Sequence, residues 1–132
     1  MPKSKKIGCH AIHFFDPDII GIQYNKTPTL HEIQLSIEEF GRIWSPNTTA
    51  FLLADVSYMK DMGPESRKAA ADWIRGRNAP TYIANIGANW TMHLVGKLAS
   101  NALKLFNSKI DFEYFNNEDE GLAWLRSKGA RG

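Results

Sequence analysis

Residues 51–66 read FLLADVSYMKDMGPES, an apolar run closing on Asp55, a hydroxyl at Ser57, and a turn at Gly63 that opens a helix at Pro64. A helix start offers unpaired backbone N–H groups and the positive end of the helix dipole, so this spacing suits an anion or a phosphorylated hydroxyl. The candidate hydroxyls are Ser66 and Ser57. A phosphate on Ser66 would sit in the first helical turn within reach of Arg67 or Lys68, while Glu65 would repel it. The plainer reading makes Ser66 a first-turn helix serine and Ser57 a turn serine bonded to its own backbone. Asp55 has the chemistry of a general base, but no His, Lys or second acid stands at a characteristic spacing from it, so turn or capping duty is expected.

The remaining reactive residues form no constellation. His10 and His13 are three residues apart, a helical spacing, yet they fall in an expected strand where they would face opposite sides; a metal site is not expected. The segment Asn85-Ile86-Gly87-Ala88-Asn89 delivers a strand end onto a helix start but carries one glycine, not the three of a dinucleotide fingerprint. Gly87 is accounted for by a tight turn. Cys9, the single cysteine, excludes an internal disulfide and any CxxC motif, and an inert thiol in a reducing compartment follows. With no nucleophile–base pair, metal set or phosphate loop, an enzyme is the least expected class, and no cofactor is expected.

The elements that must position these residues are legible in the periodicity. Cys9 to Phe15 and Ile19 to Tyr24 flank the turn residues Asp16-Pro17-Asp18 as a β-hairpin. Thr29 precedes Leu30, Ile33, Ile37, Phe40 and Trp44 at helical spacing, with Glu32 placed for a capping box. Ala50 to Val56 is a continuous apolar strand, and a second helix starts at Pro64, burying Ala69, Ala70, Trp73 and Ile74. Thr81 to Ile86 makes a fourth strand. A third helix begins near Trp90, with an inner stripe of Leu94, Val95, Leu98, Ala102, Leu105 and Phe106. Ile110 to Phe115 makes a fifth strand, and the acidic triplet Glu118-Asp119-Glu120 opens a last helix that docks through Leu122, Ala123, Trp124 and Leu125 and stops at Gly129. Trp44, Trp73 and Trp124 read as helix-docking core. The fold class is therefore α/β, a mixed, mostly parallel five-stranded sheet with four helices in the order ββαβαβαβα.

Composition sets the outer limits. A chain of 132 residues fits one domain, with a basic tail at 1–7 and the domain at 8–132. Net charge +2, part of it in Lys3, Lys5 and Lys6, and a cluster of Arg67, Lys68, Arg75 and Arg77 interrupted by Asp72 give no nucleic-acid footprint. No apolar run approaches the ~18 residues that span a bilayer, so no transmembrane segment is expected, and a cytoplasmic protein follows.

The strings FLLADVSYMKDM, GPESRKAAADWIRG, YIANIGANWTMHLVGKL and FEYFNNEDEGLAWL resemble the STAS domain, the anti-sigma-factor antagonist fold, most closely its SpoIIAA-like, STAS/SEC14-like group. The resemblance covers nearly the whole chain after the basic tail. It implies a non-enzymatic bacterial signalling or adaptor module, and in the sporulation antagonists a serine at the start of the second helix is phosphorylated by a partner kinase. Asp55-Val56-Ser57 matches the first half of that family's Asp-hydrophobic-Ser pattern. The Asp-Ser-Ser-Gly turn that follows in the family is absent: Pro64 and Glu65 stand where the phosphoacceptor is expected, with Ser66 one or two positions further on.

Two functions follow from the resemblance. In the first, Asp55, Ser57, Gly63, Glu65, Ser66 and Arg67 bind a protein partner, a kinase, a phosphatase or another STAS protein. In the second, from the SEC14-like side, a small apolar ligand sits between the sheet and the third helix against Leu94, Val95, Leu98 and Phe106. The apolar residues Trp90, Met92, Leu94 and Val95 surround more than one stripe of that helix, which adds a third reading: self-assembly, as a homodimer or larger structural module.

Overall fold

The computed structural model describes residues 4–104 and 109–132. Ten elements follow one another: β1 (Ser4–Ile7), β2 (His10–Phe15), β3 (Ile19–Gln23), α1 (Leu30–Ile43), β4 (Ala50–Asp55), α2 (Pro64–Arg75), β5 (Thr81–Ile86), α3 (Trp90–Lys104), β6 (Ile110–Phe115) and α4 (Glu118–Ser127). The strands form one sheet in the order β1-β2-β3-β4-β5-β6. The first two pairings are antiparallel and the remaining three parallel.

The sheet thus has six strands, not five. The additional strand is Ser4–Ile7, part of the stretch that reads as a solvated tail. Its apolar signal is a single buried residue, Ile7, while Lys5 reaches across to Glu39 of α1 at 2.6 Å. A short edge strand guarded by lysines is a common protection against edge-to-edge pairing, and it looks like a charge run in sequence.

The helix starts follow local chemistry. Thr29 and Glu32 close a reciprocal capping box on α1, Pro64 occupies the first turn of α2, and Asn117 accepts from the Glu120 N–H to cap α4. Successive side chains of β4 point to opposite faces, as pleating requires. Leu52 and Ala54 join the larger core with α1 and α2, whereas Phe51 and Leu53 join the smaller core under α4. The three parallel crossovers carry α1, α2 and α3 over one face, the result of like-handed connections through strands laid down in one direction. The helix α4 covers the other face through Leu122 and Leu125.

Between the crossover helices, Phe40, Trp44 and Trp73 pack ring against ring at centroid separations of 5.3 to 6.4 Å. Arg77 lies beside them, 5 % exposed, its guanidinium over Trp73. It donates to Thr81 Oγ1 at 2.7 Å and to the carbonyls of Ser45 and Thr48. In sequence Arg77 reads as part of a surface basic cluster; in the fold it fastens the end of α2 to the loop before β4.

Candidate functional site

At the carboxyl ends of the parallel strands, the Asp55 carboxylate accepts from the Ser57 backbone N–H at 3.0 Å and from its hydroxyl at 2.6 Å. This is turn chemistry, with both bonds on Oδ1. The adjoining turn requires Gly87: its φ is +71°, and a Cβ there would overlap Ser57. Ser57, Gly63, Glu65 and Arg67 are exposed and Asp55 is partly exposed, so five of the six expected surface residues share this end of the molecule.

Ser66 departs from that set, being 5 % exposed. The reason is helical phase: Ser66, Ala70 and Ile74 are spaced by four and share the inward face of α2, so the hydroxyl is closed to a kinase while the domain is folded. Ser57, by contrast, is open to solvent.

Beneath the crossover helices lies an apolar cavity of about 240 Å³. Its floor is the sheet, with Leu52 and Ala54 of β4, Ile83 of β5, and Phe112 and Tyr114 of β6. Its roof is Phe40 of α1, Ala70 and Trp73 of α2, and Met92, Val95 and Ala99 of α3; Met59 and Met62 close the side between β4 and α2. The charged groups in its lining are Asp61 and Arg67, paired at 3.5 Å with side chains 52 % and 42 % exposed, so they border both cavity and water. The neutral polar groups include two phenols. Burial pushes the Tyr24 hydroxyl up to about 12, with Ser36 acting the other way, and burial also raises Tyr114, helped by the charge of Glu113. Both therefore stay protonated at neutral pH.

The pocket expected in sequence occupies this place but with a different wall. Val95 lines the cavity; Leu94 is 47 % and Leu98 64 % exposed, and Phe106 lies outside the described residues. The helix is turned by a close approach at Gly96, where any Cβ would overlap the Tyr114 hydroxyl. Only the glycine face fits over Tyr114, which directs Met92 and Val95 inward, leaves exposed Ala99 at the cavity edge and carries Leu94 and Leu98 outward with Trp90. His93 stacks on the Tyr114 ring at 4.3 Å and fixes the same contact from the side.

One group among the described residues has the makings of a metal site, Cys9, His10 and Glu32. The backbone N–H of Asn25 donates to His10 Nδ1 at 3.1 Å, which leaves the proton of the neutral ring on Nε2, where Glu32 accepts it at 3.1 Å. A metal on Nε2 would move that proton to Nδ1, against another donor. The arrangement suits a hydrogen-bond chain that ends in the α1 capping box, not a ligand set.

The cavity wall is where sequence reasoning missed most. Met59, Met62 and Met92 converge there from one loop and a helix, and the signal available was their type, since unbranched methionines fill irregular apolar gaps. Comparison with known proteins adds no assignment: no family model matches the chain, and no curated protein matches it.

Proposed function

We propose that this chain is a non-enzymatic binding module whose ligand is a small apolar molecule held between the sheet and α1, α2 and α3. The observation that supports this is the cavity itself. Interiors are normally packed to crystal-like density, and an unfilled apolar space forfeits contacts on every side of its lining. An apolar cavity of about 150 Å³ takes up benzene; on that scale the present one, at about 240 Å³, suits roughly ten non-hydrogen atoms. The SEC14-like side of the sequence resemblance points the same way. Extraction of protein purified from its own cells into organic solvent tests the reading: one small apolar compound per chain is expected, and repeatedly empty extracts would sink it.

A second reading, a signalling adaptor of the antagonist type, is favoured by a separate observation. Tyr58 and Trp90, 63 % and 78 % exposed, follow the carboxyl ends of the adjacent strands β4 and β5. They stand at the same end as exposed Ser57 and Glu65. Exposed aromatics beside a charged helix start are the composition of a protein-docking surface. On this reading Glu65→Lys weakens capture of the partner without unfolding the domain, and unchanged capture would argue against it.

A further inference from the structure

We infer that the molecule bound in the cavity is an anionic amphiphile, its apolar tail under α3 and its anionic head on Arg67; this rests on the reading of the cavity as a ligand site. The cavity lining is neutral apart from one ion pair. That pair is long at 3.5 Å, and Asp61 is the one polar partner of the Arg67 side chain among the described residues. A guanidinium has five N–H donors in a planar fork suited to a carboxylate or phosphate, so most of this donor capacity is unused.

The surroundings decide between an anionic and a cationic head. Arg67, Ala71 and Ala99 line both the cavity and a second, outer groove between α2 and α3, where Lys68 and Arg75 also stand. Lys68 and Arg75 both contact the acid Asp72, at 2.9 and 3.3 Å, and Asp61 faces Arg67, so cationic side chains line this rim. The α2 start adds to the positive side, because its cap is Gly63 with no side-chain hydrogen bond to the first turn. Glu65 opposes it but is exposed and lines neither space. An anionic head that replaces Asp61 on Arg67 keeps its tail in apolar surroundings; a cationic head on Asp61 would face Arg67 and the positive end of α2.

The test uses methionine-methyl NMR on the whole chain, because Met59, Met62 and Met92, three of its four methionines, line the cavity. Octanoate, 1-octanol and octylamine are titrated separately. Octanoate is expected to shift the three cavity methyls with an affinity about tenfold tighter than 1-octanol, the scale of a hydrogen bond to a charged group, and octylamine to bind weakest. Octyl phosphate distinguishes the head: a phosphate or a carboxylate preference each supports the inference. Arg67→Gln should bring octanoate to the level of 1-octanol, and Asp61→Asn, which removes the competing carboxylate, should tighten it; the two opposite shifts separate recognition from any loss of folding. Equal affinities for octanoate and 1-octanol, or tightest binding of octylamine, would overturn the anionic head while leaving the apolar cavity as a ligand site. Cavity methyls that respond to none of the compounds would overturn both.

Discussion

Glu32 ties a helix start to a strand. Its carboxylate accepts from the Thr29 N–H at 2.9 Å and meets His10 Nε2 at 3.1 Å, tying the start of α1 to the β2 strand. The Thr29 backbone bond, above all, holds the Glu32 carboxyl below the ordinary glutamate range, with His10 adding to the effect. A carboxyl depressed in the folded state adds stability that is complete above its unfolded pKa and is lost as pH falls through the folded one. Glu32→Gln is therefore expected to lower stability at neutral pH by about 1 kcal/mol. It should also flatten the decline in stability between about pH 5 and pH 3. Denaturant unfolding followed at several pH values checks this, and superimposable curves for the two proteins would contradict it. At this scale the capping box was legible, since Thr29 and Glu32 sit three apart before an apolar stripe. The His10 bond and the burial of Arg77 were not, because both depend on partners 22 and 32 residues distant.

Among the elements, α3 shows where periodicity stops being sufficient. Its leucines and its small residues both recur at helical spacing, and the sequence favours burying the leucines. The tertiary contact decides otherwise, since Gly96 alone admits the Tyr114 hydroxyl. Gly96→Ala gains helix propensity of up to ~1 kcal/mol. The overlap with Tyr114 should outweigh that gain, giving a net destabilisation of about 1–2 kcal/mol. In the Tyr114→Phe background the same substitution should be neutral or stabilising, and thermal unfolding of the four proteins reads the coupling. Equal effects in both backgrounds would show that Gly96 does not set the rotation of α3. The other helices and the strands β2 to β6 were readable because turn residues, caps and apolar runs agreed locally; β1 was hidden because three of its four residues, Ser4, Lys5 and Lys6, are exposed.

For the whole molecule, the sheet order and the like-sided crossovers place three helices on one face and one on the other, and the crowded face is the one that keeps an unfilled space. The α/β class follows from the alternation of apolar runs and amphipathic stretches. The cavity does not, since its wall is assembled from six of the ten elements and three connecting segments, and no local string encodes a volume. Ala70, on the inward face of α2 and in the cavity wall, is the position at which that volume is most simply removed. The most direct test of a ligand in this cavity is the native mass spectrum of the protein from its own cells, compared with Ala70→Phe produced in the same way and shown to be folded. One small adduct per wild-type chain, absent from the filled variant, is the expected result. A bare wild-type protein, or an adduct retained when the cavity is filled, would contradict the account.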